Sequence, residues 1–548
     1  MVTKDSLIKG TIILAAAALV ARFLGIFQRI PLDYMTDSHG GGYFTVANNI
    51  YLMLLIVATG GIPSAISKMV SERYALGRPD EARRIYKAAL LFGAITGVLI
   101  TVLLLIFAPY YATHIAEKPG AALAVRAIAP ALLFFPIIAM MRGYFQGRQY
   151  MTAGGVSQIV EQILRVITAV GLGYLAFAQD WGQDWIAAAA TFGSVFGSVG
   201  AFAIMLSYAR KLKRQDVKDA AKAGHASTMT RRSALSFQAI YKELFKISVP
   251  IVITSMTVQF IYFFDTSFFM KLTHGYYVSA DADQMLDWLG VKAQALAGIP
   301  PILAIALSQS MIPIISAAYK VRNMKEVERQ ASLVMRIVVF TGVPASLIMT
   351  VAAVSITGLL FSNIGGSGAV AALTAGTIFQ ITMMTSNTVL TSMNKPTLPM
   401  RHALIGIAVK VVTSLILAPL LGVYGIILSS TICFLTIAAL NFRSIRKEIN
   451  LNILGTRWVG YGITIAVASG AGWLIDYACR TYIGGPDKLT YAIACIAAGI
   501  VSLGLYVALL ILLKVITRDD VQQFPGALRR LLNPLMRITA RRGANSNH

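Results

Sequence analysis

Acidic residues are scarce in this chain. Its 548 residues hold 24 Asp and Glu against 48 Lys and Arg, and charged residues make up only 13% of the total. A soluble domain carries roughly 25% charged residues, so this chain cannot coat a water-facing surface of its size. Cysteine is nearly absent. Cys433, Cys479 and Cys495 stand alone inside apolar runs, which excludes a disulfide framework and a cysteine-based metal centre. The six histidines show no ligand spacing. The phosphate-cradling pattern G-x-x-x-x-G-K-[ST] is missing, so the chain carries no ATPase of that kind. Polar segments are short, which leaves no room for a separate soluble catalytic domain. No cofactor and no metal site is expected.

What is present is apolar sequence, 56% of the chain. It falls into repeated runs of about 20 residues, long enough for an α-helix to cross a bilayer. The runs are continuous rather than alternating, so they read as helices and not as barrel strands. About fourteen spans are expected, near 6–27, 43–71, 87–113, 121–146, 154–178, 185–209, 243–271, 291–317, 332–360, 369–393, 400–420, 422–442, 457–480 and 489–516. The fold class is all-α, a polytopic membrane protein. The first run continues to Phe27 without a small-residue cleavage pattern and reads as a membrane helix, not a removed signal.

A net charge of +24 in a soluble protein would suggest nucleic acid. Here the basic residues sit in alternate short loops, as the positive-inside rule requires, so membrane lipids are the expected partner and nucleic acid is not. Arg73, Arg78, Arg83 and Arg84 fall in one such loop, Lys320, Arg322, Lys325 and Arg329 in another. The intervening loops are poor in basic residues, and 272–289 carries Asp281, Asp283 and Asp287. Both termini are therefore expected on the cytoplasmic side.

The two halves match weakly at an offset of about 245–250 residues, as transporter repeats do. Ile62-Pro63 and Ile312-Pro313 each end a span before a basic loop, and Arg165-Val166-Ile167-Thr168 matches Lys410-Val411-Val412-Thr413. The expected organisation is a six-helix half over 1–209, a basic linker over 210–242, and a second pseudo-symmetric six-helix half over 243–442. Two extra helices follow over 443–516, then a basic tail over 517–548.

Charges inside such spans are costly, and they mark a protein interior or a watery cavity. Arg22, Arg165 and Lys410 are the basic candidates, with Gln158 on the Arg165 helix. Glu161 lies one turn before Arg165, so the two share a helical face and can pair. Asp265 is deep in the seventh span. More cations than carboxylates suit a phosphate-bearing headgroup, because arginine grips phosphate through paired donors and lysine as a point charge. The bland alternative is a set of ion pairs that only hold helices together. Arg126, Arg142, Lys271, Lys292, Arg336 and Arg480 lie near span ends, where snorkelling to the interface is expected. Gly60, Gly61 and Pro63 interrupt the second span, and Pro300, Pro301 and Pro313 the eighth. Interruptions at matching places are candidate gating segments.

The segment Arg142-Gly143-Tyr144-Phe145-Gln146-Gly147, followed by Ser157-Gln158-Ile159-Val160-Glu161-Gln162-Ile163-Leu164-Arg165, resembles Gram-positive polysaccharide-transport proteins. These belong to the multidrug/oligosaccharidyl-lipid/polysaccharide exporter superfamily. Arg22-Phe23-Leu24-Gly25 with Arg29-Ile30-Pro31, the run Gly61 to Ser67, and Leu421 to Ile426 fit the same branch. Within it the chain resembles MurJ-type lipid II flippases and the stage V sporulation protein B group, from about residue 6 to 516. The resemblance implies a bacterial plasma-membrane flippase, not an enzyme. It would move lipid II, the undecaprenyl-pyrophosphate-linked peptidoglycan precursor, from the inner to the outer leaflet by alternating access. It also implies a lipid-tail groove on the two extra helices and contact with the cell-wall synthesis machinery. Arg22 matches a cavity arginine of that family. Arg29 adjoins the position of a second, which is Gln28 here. Energy would come from membrane potential, an ion or proton gradient, or removal of product. Flipping of another undecaprenyl-linked glycan (capsule, teichoic-acid or exopolysaccharide unit) stays open, and a multidrug exporter fits less well because cationic drugs favour carboxylates. A membrane glycosyltransferase would need an external carboxylate site for which these loops have little room. A purely structural role would tolerate neutral residues at Arg22, Arg165 and Lys410.

Overall fold

The computed structural model describes residues 7–222, 236–302, 315–483, 485 and 487–517. Among them it is helical throughout, with no strand beyond one isolated bridge between His274 and Tyr277. The helices used below are α1 (Leu7–Met35), α2 (Ser38–Thr59), α3 (Ile62–Ala75), α4 (Pro79–Tyr110), α5 (Ala121–Ile128), α6 (Ala131–Gly147), α7 (Met151–Ala178), α8 (Gln183–Lys222) and α9 (Phe237–Ser267). They continue as α10 (Ser279–Asp287), α11 (Met324–Val351), α12 (Ala353–Leu360), α13 (Ser367–Ser392), α14 (Thr397–Leu421), α15 (Val423–Arg446), α16 (Trp458–Tyr482) and α17 (Lys488–Leu512).

Among the described residues, 12 helical stretches are long and apolar enough to cross a membrane. They coincide with twelve of the expected spans. The first expected span lies within α1. The eighth, 291–317, runs through 303–314, outside the described residues, and so does Pro313. Part of the expected linker, 223–235, and the tail beyond 517 lie outside them too. The protein is a multi-pass helical membrane protein.

Local chemistry sets where the helices start. Asp37 accepts from the His39 and Gly40 amides to cap α2, Ser236 caps α9 through Ala239, and Asp487 caps α17 through Thr490. Pro79 opens α4 with Asp80 and Glu81 in its first turn, where the helix dipole favours negative charge. Once inside the apolar slab, serine and threonine hydroxyls return to carbonyls one turn back, as Thr168 does to Leu164 and Thr413 to Val409.

The chain packs as two compact units, one formed by 1–291 with 399–426, the other by 292–398 with 427–548. In the first unit the stretch Ala121–Gly147, made of α5 and α6, is central, with 61% of its apolar segment buried, whereas the stretch Pro79–Ile115 that contains α4 is peripheral at 22%. Leu91, Ile95, Val98, Val102 and Ile106 form an exposed apolar stripe on α4, as a lipid-facing helix needs. In the second unit α11 is the central helix, with 67% of its window buried. It meets α13 through hydroxyl pairs, Ser346 to Thr377 at 2.8 Å and Thr350 to Thr374 at 3.0 Å, which bond across helices where no water competes. Tyr461 on α16 and Tyr506 on α17 join hydroxyls at 3.2 Å, and Tyr461 also donates to the Val339 carbonyl on α11. That ties the two last helices to the core of their unit.

The interruption expected in the second span is present. Gly60 ends α2 and Gly61 starts α3 at φ +69°, a left-handed conformation that favours glycine, with Pro63 in the first turn of α3. A Cβ on Gly61 would also lie 2.8 Å from Ile251 on α9. The interruption expected in the eighth span is visible as far as it is described. A π turn (Trp288–Ala293) and a four-residue helix (Gln294–Ala297) give way at Gly298, and helical structure resumes at Pro300 and Pro301.

Candidate functional site

The candidate site grows from α7. Residues 158, 161, 162 and 165 recur at helical spacing, so one face of an otherwise apolar helix carries Gln158, Glu161, Gln162 and Arg165. Glu161 and Arg165 pair at 3.2 Å, as their spacing predicts. A second arginine completes the cluster. Arg142, on α6, donates to Glu161 at 3.0 Å and to the Ser157 hydroxyl at 2.8 Å. Its side chain is only 14% exposed, so the expectation that it snorkels to the interface is corrected. The tight turn between α6 and α7, where Gln149 holds φ +65°, folds Arg142 back alongside Ser157 and Glu161.

On its other side Arg165 donates to the Tyr51 hydroxyl of α2 at 3.1 Å. Its guanidinium carbon stands 5.8 Å from the Tyr51 and Phe135 ring centres. Such stacking holds a planar cation in one orientation. Arg165 Nε and Gln158 Oε1 are buried and have no hydrogen-bond partner among the described residues. A buried polar atom left so costs about 1–3 kcal/mol. Two arginines against one carboxylate leave this cluster with a net positive charge.

The second buried set is on α9 and α14. Lys410 is completely buried and pairs with Asp265 at 2.6 Å, while its ammonium also donates to the Ile426 carbonyl at 2.9 Å. The sequence match between Arg165 and Lys410 therefore hides a difference. Arg165 takes its carboxylate from its own helix, and Lys410 takes one from another helix. Lys410 is charge-matched and enclosed in this conformation, whereas the Arg142–Glu161–Arg165 set keeps a surplus cation. The two sets share no residue, and both lie in the first unit.

The remaining candidates are placed as follows. Arg29, on α1, donates to the Gly290 carbonyl, and Gln28 is buried with its amide 3.4 Å from the Ala190 carbonyl. Arg22 lies on α1, but its side chain is outside the described residues. Lys292, expected to snorkel, is instead fully buried in the second unit. It donates to the Asn363 side chain at 3.0 Å and to the Asn363 and Gly365 carbonyls. The carbonyls of a loop, which sequence cannot bring to Lys292, allow its burial. Arg126 and Lys271 are exposed, as expected. No group of three or more His, Cys, Asp or Glu residues suited to a metal occurs among the described residues.

The family described as "Polysaccharide biosynthesis protein" matches residues 7–319, more than half of the chain. The chain belongs to this family. It is 30% identical over 350 residues to lipid II flippase MurJ of Bacillus subtilis (strain 168), a match covering 62% of this chain and 63% of that one. The chain thus spans somewhat less than two thirds of that relative. Stage V sporulation protein B of the same organism is 24% identical over 530 residues, covering 95% of this chain and 98% of that one. Among solved structures, lipid II flippase MurJ in an inward closed conformation shares the fold. Its TM-score is 0.64 at 14% identity, over 91% of this chain and 99% of that one.

One more polar cluster in the first unit lies outside the spans. Lys118, between α4 and α5, is buried and paired with Asp283 of α10, whose other oxygen is 3.0 Å from His39. Burial pulls the Lys118 ammonium down to about 8 from the usual 10.5. Between those values the unfolded chain holds more protons than the folded one, so stability rises with pH across that window. The melting temperature of the purified protein is expected to climb from pH 8 to 10, and Lys118→Met is expected to lose that climb. Identical pH slopes for the two proteins would remove the assignment.

Proposed function

We propose that this chain is a flippase for a lipid-linked oligosaccharide, and that its substrate is lipid II, moved from the inner to the outer leaflet by alternating access. The observation that carries this reading is the surplus cation of the Arg142–Glu161–Arg165 set, with the Arg165 Nε donor left unpartnered in a buried place. A pyrophosphate supplies the acceptors that this donor lacks. The relative named as a lipid II flippase supports the choice of substrate.

In this mechanism Arg165 grips the pyrophosphate, together with Arg22 of the same unit. Glu161 keeps Arg142 and Arg165 apart while the site is empty and exchanges one of them for the anion on loading. Lys410 and Asp265 open to the substrate only as the helices move, and Arg29 and Gln158 orient the headgroup. The helix breaks at Gly60, Gly61 and Pro63 and at Pro300 and Pro301 are the hinges. The lipid tail stays in the bilayer beside α16 and α17. Glu161 and Asp265 are the groups through which a proton or ion couples to transport, with membrane potential as the other source of energy. The protein works in the bacterial plasma membrane with both termini cytoplasmic, alongside the cell-wall synthesis machinery.

The test is depletion of the protein in its host with a leaflet-resolved assay of lipid II. Accumulation in the inner leaflet, reversed by the wild-type gene, is the expected result. Unchanged lipid II topology in a host lacking other flippases would remove lipid II as the substrate. A different undecaprenyl-linked glycan carrying the same phosphate chemistry would then take its place.

A further inference from the structure

A cavity of about 470 Å³ in the second unit shares no residue with the charge clusters on α7 and α14. It is lined by Lys325, Glu328, Arg329, Ser332, Arg336 and Asn452. Five of the six come from α11 at spacings of three and four, so they form one stripe on one helical face. Asn452, in the segment before α16, closes the other side.

The far wall is built and held. Arg336 donates to the Ile453 carbonyl at 2.6 Å and to the Asn452 carbonyl at 3.0 Å, and the Ser332 hydroxyl accepts from the Asn452 amide at 3.3 Å. Arg336 is thus the strut that fixes the Asn452 segment against α11. Arg329 is oriented by an ion pair that leaves part of its fork open. Its Nε and one terminal nitrogen donate to Glu326 at 2.8 and 2.6 Å, which leaves three of its five N–H donors. Lys325, Arg329 and Arg336, against Glu328 in the lining and Glu326 beside it, leave the cavity with a balance of one positive charge. The cavity also sits at the N-terminal end of α11, where the helix dipole adds to the attraction for an anion.

Its level decides what kind of anion fits. Beyond Arg336, α11 runs from Ile337 to Val351 without a charge. Beyond Arg457, α16 runs from Trp458 to Ile475 without one. Both helices enter the apolar slab at the cavity. The first residues of α16, Trp458 and Val459, are 49% and 74% exposed, as an interfacial tryptophan beside acyl chains would be. Basic pockets between membrane helices at that level suit phospholipid headgroups.

From this the geometry points to a binding site for the phosphodiester headgroup of an anionic phospholipid, clamped between α11 and the segment leading into α16. Lys325 and Arg329 supply the charge, Asn452 a further polar contact, and Arg336 keeps the wall in place. The site is independent of the transported substrate: a bilayer lipid occupies it and secures α16 and α17 to their unit.

The experiment uses the full-length protein in nanodiscs of phosphatidylcholine, with or without phosphatidylglycerol, read by melting temperature and by the phosphatidylglycerol retained in native mass spectrometry. Wild type is expected to melt higher with phosphatidylglycerol and to keep it bound. In Lys325→Gln/Arg329→Gln retention is expected to weaken about tenfold to thirtyfold, at about threefold to fivefold lost per basic residue. Lys211→Gln/Lys213→Gln, with the same change of net charge on α8, is expected to behave as wild type. If losing Arg329 disturbs the start of α11, seen as a lower melting temperature in phosphatidylcholine alone, Lys325→Gln by itself is read instead, with about fivefold weakening. Equal retention by wild type and the cavity variants would overturn the site, and so would an equal loss in the α8 control. A shift reproduced by inorganic phosphate in phosphatidylcholine discs would assign the cavity to a soluble anion and overturn the lipid.

Discussion

Arg165→Ala is expected to abolish rescue of a depleted host and to slow flipping by roughly a hundredfold or more. The variant removes a charge-assisted contact to a phosphate and leaves the Tyr51 hydroxyl without its donor, and each such loss is worth about 1.5–3 kcal/mol. The fold should survive. Glu161 keeps Arg142 at 3.0 Å, so no carboxylate is stranded in the membrane. Arg165→Lys separates the two roles of the side chain. It keeps the charge and the reach to Glu161 but loses the planar fork and the Nε donor, so it should fold normally and transport poorly. If Arg165→Ala and Arg165→Met restored growth and lipid II topology fully, the residue would be an ion-pair brace, and the proposed pyrophosphate grip would fall with it.

The second large effect concerns stability. Lys410→Met takes this cation from the buried Asp265, and Asp265→Asn takes the carboxylate from the fully buried ammonium that also donates to the Ile426 carbonyl. Breaking a buried ion pair from one side costs about 3–5 kcal/mol, while replacing both partners by neutral residues of similar size is often close to neutral. Each single variant should therefore show a strongly lowered melting temperature and poor yield, and Lys410→Met/Asp265→Asn should recover most of the loss. The coupling read from that double-mutant cycle is the test. Two nearly wild-type single variants would mean that the pair is open to water in the membrane. A double variant that folds well yet fails to transport would place Lys410 and Asp265 in the transport cycle as well as in the fold.

The helical, polytopic character of this chain is legible because it depends on run length alone. Repeated apolar runs of about 20 residues, with few charges inside them, satisfy their backbone in lipid as helices. The helix break at Gly60, Gly61 and Pro63 is legible for a similarly local reason, since proline opens a helix and glycine accepts the left-handed turn. The Glu161–Arg165 pair is legible because four residues make one helical turn.

Arg142 shows where such reading stops. It lies close to a span end, and distance from the end is all that a linear pattern offers. The turn at Gln149 brings it onto Glu161, nineteen residues away. Lys292 likewise depends on carbonyls contributed from beyond residue 360, and Tyr51 meets Arg165 across 114 residues. By itself, then, the sequence determined the helical, multi-pass character of the chain, the Glu161–Arg165 pair and the family resemblance. The tertiary structure alone decided which charges are matched and which are in surplus. The physical reason is that a buried charge is settled by its nearest few ångströms of surroundings. For Lys410 that surrounding is Asp265, on a helix 145 residues away in the chain, where no local periodicity reaches.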